Sequence, residues 1–412
     1  MTQNKHKIIN DPVHGFIKIP TDFIFDLLEH PFVQRLRRIK QLGLTSLVYP
    51  GATHTRFQHA IGALHLMNQA IDNIRQKGLT ITDEEAEAAA AAILLHDIGH
   101  GPFSHALEQS IIPDLTHEDI SFILMQRLNN EFKGKLSLAL QIFKNQYSKK
   151  FLHQLISGQL DMDRMDYLMR DSFYTGVAEA TIGTERIIKM LNVADDQLVV
   201  ESKGIYSIEK FLIARRLMYW QVYFHKTVIA AENILVKTLQ RANHIAEKDS
   251  ELFAAEALDF FFRNKITRNE LKDGHDLVIE KYTSLDDDDI IVSAKAWINH
   301  SDPLLSYLSG CLIKRGLPKV MIQDTPIDGR LIKKLKLNVQ GLFGIDESLS
   351  DYLVYQGQIC NRAYSGSDEK IRILYNNGII KDITDSSELF NTSLVTKPSV
   401  KYFLCYPKEC EV

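Results

Sequence analysis

The segment His96-Asp97-Ile98-Gly99-His100 decides how this chain is interpreted. It follows an alanine-rich stretch that begins after Thr82-Asp83-Glu84-Glu85, a capping box that predicts a helix running to His96-Asp97. Gly99, Gly101 and Pro102 predict that the helix ends there. Adjacent His and Asp side chains at a helix end can direct a nitrogen and an oxygen to one ion, and such mixed donors suit Fe, Mn, Ni or Zn. Taken alone, the pair is more simply interpreted as a histidine beside a helix-end aspartate without function.

Other metal-ligating residue types surround this pair in the sequence. His59 lies 37 residues before His96, and Asp163 lies 66 residues after Asp97. The histidines His100, His105 and His117 follow the pair closely, an unusual density for a chain with 15 histidines. Together these residues favour a metal site over an isolated dipeptide.

Composition limits the classes of protein that need to be considered. A chain of 412 residues, 45% hydrophobic and 24% charged, can bury a sizeable core. The net charge of −4 excludes a generally basic nucleic-acid coat. Four cysteines without CxxC spacing predict a reducing cytoplasm rather than a disulfide scaffold. The longest apolar run, Ala88 to Leu95, is much shorter than the roughly 20 residues of a membrane-spanning helix, and the first residues lack the apolar segment of a signal peptide.

The pattern along the chain predicts a large helical core followed by a smaller α+β region. Residues 1–20 read as short extended pieces around the turn Asp11-Pro12-Val13-His14-Gly15, and 21–191 read as helical. Residues 199–206 suggest a hairpin turning at Lys203-Gly204, and 208–246 suggest one uninterrupted helix. We therefore divide the chain into a core, 1–246, and a C-terminal region, 247–412, with a regulatory or oligomerisation role.

Within the C-terminal region the acidic run Asp286 to Asp289 is interpreted as a solvated helix N-terminus or turn, in preference to a metal site. Strands are predicted at 352–355, 371–374 and 402–404, and a helix at 331–337.

Many ordered motifs resemble one family, the HD superfamily of metal-dependent phosphohydrolases, whose signature is His…HisAsp…Asp. The chain is most similar to its deoxynucleoside triphosphate triphosphohydrolases, both bacterial and animal. The resemblance is dense over residues 7–230 and is carried by 9–15, 32–37, 39–43, 49–52, 96–105, 116–118 and 163–171. It implies a mainly α fold with an HD-domain helical core.

The resemblance implies four metal ligands: His59, His96, Asp97 and Asp163. Two imidazoles and two carboxylates leave octahedral positions for water and a phosphate oxygen, so the ion can polarise the α-phosphate and activate a water for attack. The expected cofactor is a divalent ion (Fe, Mn, Ni, Zn or Mg), together with a Mg-bound nucleotide.

Other positions match the groups around the triphosphate and the leaving oxygen. Candidates for triphosphate binding are Arg56, His100, His105, His117, Arg164 and Arg215. His105, with Glu118 or Glu108 nearby, is the candidate acid that protonates the 5′ oxygen. Glu108 and Arg164 stand where animal enzymes carry Asp and Lys, which alters reach and geometry. The alternatives are that His117 is a helix residue without function and that Arg215 lies on the surface.

The sugar end of the substrate site also matches. Candidate deoxyribose contacts are Gln41, Leu42, Tyr167, Asp171 and Tyr223, with Tyr167 and Asp171 near the 3′ hydroxyl. The alternative is that both tyrosines are core aromatics with hydrogen-bonded hydroxyls. Phe224 replaces a glutamine of the animal enzyme, which puts base or sugar contacts at this position in doubt.

A regulatory nucleotide site is the weaker part of the resemblance. Family members bind an activating guanine nucleotide between subunits at positions that match Lys7, Glu29, Gln34 and Arg37. A neighbouring phosphate site of the family matches Arg186, His225 and Lys226. Glu29 replaces an aspartate, and a carboxylate there can accept two hydrogen bonds from a guanine edge. The alternative is that Arg35, Arg37, Arg38 and Lys40 form an ordinary charged helix face.

The sequence thus predicts an enzyme that cleaves a dNTP into deoxynucleoside and inorganic triphosphate. A dNTP or GTP activator and a homo-oligomer, dimer or tetramer, are the expected partners; single-stranded nucleic acid and membrane are not expected. The alternatives are another HD phosphohydrolase, acting on a phosphomonoester or cyclic nucleotide, and a non-catalytic module that senses nucleotides or binds nucleic acid.

Overall fold

Helices form most of the protein, in agreement with the predicted mainly α class. The structure is a computed structural model that describes residues 7–248, 251–272, 275–361, 370–387 and 399–410. The chain begins with a hairpin of β1 (Ile8–Asp11) and β2 (Gly15–Lys18). The Asp11 carboxylate accepts hydrogen bonds from the amides of Val13 and His14, and Gly15 adopts φ +71°. The predicted extended pieces and turn are confirmed.

The next helices carry the metal-ligand motif. The element bounds are α1 (Asp22–Glu29), α2 (Pro31–Gln34), α3 (Arg56–Gln76), α4 (Asp83–Leu95), α5 (Glu108–Ile111), α6 (His117–Glu131), α7 (Ser137–Phe143), α8 (Lys150–Gln154), α9 (Met162–Thr175) and α10 (Thr184–Met190). The predicted capping box at Thr82 is present, as is a capping box at Thr116. Helix α3 packs against both α4 and α9, which brings their side chains to one place.

The hairpin predicted at Lys203-Gly204 was wrong. Strand β3 (Leu191–Ala194) pairs with β4 (Gln197–Glu201) through a two-residue turn, Asp195-Asp196, whose residues have φ of 51° and 58°. Aspartate tolerates this left-handed conformation, and such turns match the twist of a hairpin. Gly204 instead lies in a 3₁₀ turn before the next helix, where an added Cβ would meet Val200 Cγ1 at 2.7 Å.

The single helix predicted over 208–246 is interrupted. It divides into α11 (Ile205–Met218), a π-helical turn (Tyr219–Tyr223) and α12 (Lys226–Ala246). His225 has extended backbone angles, and its Nδ1 accepts a hydrogen bond from the Thr227 amide, so it caps a new helix. The break places Tyr223 and Phe224 in the wall of the main cavity.

Helices continue beyond residue 246 before strands appear. The remaining elements are α13 (Glu256–Arg263), α14 (Arg268–Lys272), α15 (Asp276–Ser284), α16 (Asp287–Trp297), α17 (Pro303–Ile313), β5 (Lys319–Gln323), α18 (Gly329–Phe343), β6 (Tyr355–Asn361), β7 (Arg372–Leu374), β8 (Ile380–Asp382), α19 (Ile383–Ser386) and β9 (Ser399–Tyr406). The helix predicted at 331–337 and the strands predicted at 371–374 and 402–404 are confirmed. At 352–355 only Tyr355 is in a strand, because 347–352 form a 3₁₀ turn.

Two small sheets contain the late strands. Strands β5, β9 and β6 form one antiparallel sheet, and β7 with β8 extends the core hairpin in the order β3-β4-β7-β8. The β4 and β7 strands are parallel, with Val200 opposite Ile373. The described helices include none that is both long and apolar enough to cross a membrane.

The acidic run begins α16, as predicted, but it is not solvated throughout. Asp286 caps the helix and pairs with Arg38, while Asp287 accepts hydrogen bonds from the amides of Lys40 (2.9 Å) and Phe103 (2.8 Å). Both carboxylates are buried, whereas Asp288 is exposed. Asp287 therefore connects the C-terminal half of the chain to two loops that border the main cavity.

Candidate metal centre and substrate cavity

Three of the predicted ligands converge from three helices. His59 lies in the first turn of α3, His96 follows α4, and Asp163 lies in the first turn of α9. Asp163 Oδ1 is 3.1 Å from Nε2 of His59 and 3.6 Å from Nε2 of His96. These three side chains form one group that could hold a metal ion.

Asp97, the fourth predicted ligand, lies beside this group. Its Oδ1 is 3.4 Å from His96 Nε2, and its Oδ2 is 3.8 Å from His59 Nε2. Asp97 Oδ2 also accepts a hydrogen bond from Arg56, and Asp97 forms a second possible metal group with His100 and His117. The structure therefore brings all four predicted ligands together.

The tautomers of both histidines suit a metal ion. Nδ1 of His59 is 2.8 Å from Asp166 Oδ2, and Nδ1 of His96 is 2.6 Å from the Ile93 carbonyl. When each ring is neutral with its proton on Nδ1, each Nε2 carries a lone pair. Within the described residues, both Nε2 atoms are buried and neither has a hydrogen bond of acceptable geometry, although Asp163 is near. Two imidazole nitrogens without hydrogen bonds, next to two carboxylates, form a set of donor atoms that can bind a divalent cation.

The charges of the cluster also favour the binding of a cation. Burial opposes protonation of His59, but its hydrogen bond to Asp166 and the negative charges of Asp163 and Asp166 outweigh burial and raise the pKa of His59 to about 10. Burial is likewise outweighed at Asp163, whose pKa the two histidines lower. The carboxylates of Asp163 and Asp166 thus attract a positive charge, which a metal ion can supply in place of protons.

The sequence interpretation missed the network behind the ligands. Asp166, which orients His59, also accepts hydrogen bonds from Arg170 Nε at 2.9 Å and contacts His14 Nε2 at 2.6 Å. Nη1 of Arg170 also forms an ion pair with Oδ2 of Asp11, at 2.8 Å. The available signal was the spacing of Asp163 and Asp166, since residues three apart share a helix face. An added Cβ on Gly62 would lie 2.0 Å from Asp166 Oδ1, so only glycine permits this close approach.

A cavity of about 480 Å³ opens beside the cluster. Nine of the predicted site residues other than the metal ligands line it: Gln41, Leu42, Arg56, His100, His117, Arg164, Tyr167, Asp171 and Tyr223. Arg215 and Glu118 are not among the described residues of the lining. Arg215 is buried and contacts Gln159 Oε1 at 3.3 Å, so it does not lie on the surface.

Cationic and imidazole groups occupy the metal side of the cavity. Arg56 Nε donates to Ser104 Oγ at 2.7 Å, and Arg164 Nε donates to the Gly158 carbonyl at 2.6 Å. The rings of His100 and His117 stack 3.9 Å apart, and burial together with Arg56 holds the pKa of His100 well below its usual range.

Of the predicted acid candidates, Glu108 and His117 lie together in the described structure. Glu108 Oε1 lies 2.6 Å from His117 Nδ1 and accepts the His117 amide at 2.7 Å. The His105 side chain lies outside the described residues. His117 with Glu108 is therefore the acid–carboxylate pair that the described structure contains.

The sugar-side residues form a hydrogen-bonded wall. Tyr223 donates its hydroxyl to Asp171 Oδ2 at 2.7 Å, and the Tyr167 and Tyr223 rings meet edge to face. His54, which the sequence interpretation missed, lies 2.8 Å from Asp171 Oδ1. Its position two residues before Arg56 gave no signal, because the partner is more than a hundred residues away in the chain.

The residues assigned to the regulatory nucleotide are mostly engaged within the chain. Arg37 donates to Gln34 Oε1 at 2.8 Å and stacks on Phe57. Lys7 lies over the ring of Phe25, and Arg186 donates to the Lys203 carbonyl. Arg35 is buried and donates to backbone carbonyls, so it does not belong to an exposed charged face.

Comparison with known proteins identifies two family matches in this chain. Residues 56–171 match the HD domain family, and residues 182–296 match the HD associated region. The first match runs from Arg56 to Asp171 and so contains all four predicted ligands.

Solved and curated relatives extend the comparison. A crystal structure of a phosphohydrolase from Bacteroides thetaiotaomicron is 55% identical, with a TM-score of 0.94 over 98% of this chain and 100% of its own. Uncharacterized protein YwfO of Bacillus subtilis is 33% identical over 98% of this chain and 93% of its own length. The deoxynucleoside triphosphate triphosphohydrolase SAMHD1 homolog of Dictyostelium discoideum is 32% identical over 61% of this chain, which spans about half (52%) of that relative.

The family matches and the full-length similarity to YwfO agree with the ligand cluster. This chain belongs to the HD-domain phosphohydrolases, with an HD domain followed by an HD-associated region.

Proposed function

We propose that this protein hydrolyses deoxynucleoside triphosphates to deoxynucleoside and inorganic triphosphate. The observation that carries the proposal is one continuous cavity in which the metal-ligand cluster, two arginines and a tyrosine–aspartate wall meet. Phosphate, sugar and base can occupy such a cavity together. The Dictyostelium relative that is named for this activity supports the same assignment.

His59, His96, Asp97 and Asp163 would hold the metal ion. When bound, a divalent ion supplies Lewis-acid stabilisation of the negative charge on a phosphate oxygen. The nitrogen and oxygen donors suit Fe, Mn, Ni or Zn, and Mg accompanies the nucleotide. The free thiols of all four cysteines support the proposed cytoplasmic location.

Residues of the chain would bind the triphosphate, protonate the leaving group and bind the sugar. Arg56 and Arg164 bind the triphosphate through charge-assisted hydrogen bonds and stabilise the charge that develops during cleavage. His117, oriented by Glu108, holds a proton for the 5′ oxygen of the leaving nucleoside. Asp171, fixed by His54 and Tyr223, retains lone pairs that can accept the 3′ hydroxyl.

Product analysis tests the proposal. Purified protein is incubated with each dNTP and with Mn²⁺, Mg²⁺, Zn²⁺, Ni²⁺ or Fe²⁺, and the phosphorus products are separated. Tripolyphosphate is the expected product. Pyrophosphate, orthophosphate or turnover of a cyclic nucleotide or phosphomonoester instead would assign another HD reaction, and no turnover of any of them would favour a nucleotide-sensing role.

Nucleotide-dependent assembly is the second part of the proposal. Lys7, Glu29, Gln34 and Arg37 match activator positions between subunits, so a dNTP or GTP there would favour a dimer or tetramer by mass action. Sedimentation velocity with and without each nucleotide measures this directly. A monomer that is fully active under all conditions would contradict it.

A further inference from the structure

One carboxylate in the main cavity has no role in the chemistry described above. Glu232 lies on α12 and lines the cavity, yet no described residue gives it a hydrogen bond or an ion pair. Burial alone raises its pKa to about 7, with no contribution from a neighbouring cation. Glu232 is half-buried in the cavity wall, where a carboxylate without a partner is costly, so its presence there indicates a ligand group that pairs with it.

The place of Glu232 in the wall identifies the part of the nucleotide that it faces. Val228 and Glu232 lie four residues apart on α12 and both line the cavity, and Phe224, just before the helix break at His225, lines it as well; we call these three residues the stripe. This stripe begins next to Tyr223, the sugar-side residue, and α12 packs against the turn 43–47. The stripe is thus an aromatic, an aliphatic and an acidic side chain in succession.

Charge excludes the phosphates as the partner of Glu232. The cationic groups of the cavity, Arg56 and Arg164, come from α3 and α9, on other walls. An uncompensated carboxylate would repel a triphosphate chain. The part of a nucleotide that carries no negative charge and offers N–H donors is the base, and the Phe224 ring provides a surface on which a base can stack.

We infer that Glu232 reads the base of the substrate and favours guanine. This inference rests on the proposed dNTP hydrolysis. The guanine edge presents N1–H and N2–H₂ side by side, and a carboxylate accepts two parallel hydrogen bonds. Adenine and cytosine place a ring-nitrogen acceptor beside their amino group, and thymine flanks its one N–H with two carbonyls. Each of these acceptors would face the carboxylate unfavourably.

A comparison of dGTP with dITP isolates the contact, because inosine lacks only the N2 amino group. Wild-type protein is expected to prefer dGTP in kcat/KM by about ten- to hundredfold, because dITP keeps N1–H but loses one of the two hydrogen bonds to the charged carboxylate. Glu232→Gln keeps the shape of the side chain but cannot accept both hydrogen bonds, so the ratio should fall below about threefold. Glu247→Gln, an exposed carboxylate at the other end of α12, is the matched control and should retain the wild-type ratio. Equal rates for dGTP and dITP in the wild type, or an unchanged ratio in Glu232→Gln, would overturn the inference.

Calorimetry separates this inference from the proposed reaction. Deoxyguanosine and deoxyinosine are titrated into wild-type protein and into Glu232→Gln without following any turnover. Tighter binding of deoxyguanosine that disappears in the variant supports base reading even if no dNTP is cleaved. Equal binding of the two nucleosides to the wild type contradicts base reading even if every dNTP is cleaved.

Discussion

Nε2 of His54 and Oδ1 of Asp171 lie 2.8 Å apart, and both side chains are buried. Since Tyr223 bonds the other oxygen, Asp171 is held from two sides. Nδ1 of His54 is buried without a hydrogen-bond partner among the described residues, whereas Nε2 donates to Asp171. His54 therefore positions Asp171 without lining the cavity itself.

The first prediction tests this positioning with two substrates. His54→Ala should lower kcat/KM for a dNTP by roughly tenfold or more, because Asp171 loses one of its two anchors. The same variant should change the rate with a 2′,3′-dideoxynucleotide by less than about threefold, because that substrate lacks the hydroxyl that Asp171 would bind. His54→Gln keeps a donor and should recover part of the loss. An equal loss of kcat/KM with both substrates would show that His54 only packs in the core and does not position Asp171 for the 3′ hydroxyl.

The second prediction concerns the metal ion. Asp163→Asn and His96→Ala should each remove the tightly bound ion and abolish turnover, because the cluster loses a ligand. Circular dichroism should show the fold retained, since the helical core around His96 is extensive. Elemental analysis of purified protein measures the ion, with the exposed His244→Ala as control. Stoichiometric ion in both variants would refute the ligand assignment.

The third prediction concerns the choice between deoxyribose and ribose. If the Tyr223 ring packs against C2′ of the sugar, a ribose hydroxyl loses water and gains no partner, at a cost of about 1–3 kcal/mol. Tyr223→Ala should therefore narrow the gap in kcat/KM between a dNTP and its rNTP by about tenfold, mainly by admitting the ribonucleotide. Tyr223→Phe keeps the ring and should preserve the gap, and Tyr167→Phe should slow both substrates. If steady-state rates show the same ratio of kcat/KM for dNTP and rNTP in Tyr223→Ala as in the wild type, other residues discriminate between the two sugars.

The fourth prediction is a pH dependence of stability caused by Asp287. Burial raises the pKa of Asp287 to about 6, so the folded protein holds this proton more tightly than the unfolded chain does. The stability that the proton contributes is complete below about pH 4 and is lost as the pH rises through about 6, with a change of at most about 3 kcal/mol. Urea unfolding at several pH values should show a smaller change in Asp287→Asn, which cannot ionise. The exposed Asp288→Asn should behave as wild type; a curve for Asp287→Asn parallel to wild type would contradict the assignment.

The parts of the site that the sequence predicted are those that short motifs encode. His96-Asp97 was predicted from its residue types and its position at a helix end. Asp163 was predicted from the acidic motif around it. His54 and Asp166 were missed because their roles depend on partners from distant helices, which no local pattern records. In the sequence Glu232 does not differ from an ordinary charged residue of a helix, because only the folded structure places it in the cavity wall.

The errors in the fold have comparable causes. The helix break at His225 involves neither glycine nor proline, and it became visible only in the backbone angles of His225 and its capping bond to Thr227. The β3–β4 hairpin turns at two aspartates, whereas Lys203-Gly204 attracted the prediction because glycine is the commoner turn signal.

The parallel pairing of β4 with β7 joins segments about 170 residues apart in the chain. During synthesis on the ribosome the hairpin of β3 and β4 emerges long before β7 exists, so β4 presents an unpaired edge for most of that time. Such high-contact-order pairing forms late and slowly. The late strands β7 and β8 therefore complete a sheet that begins next to the helices of the candidate metal site, and a polypeptide that ends before β7 would leave the edge of β4 unpaired.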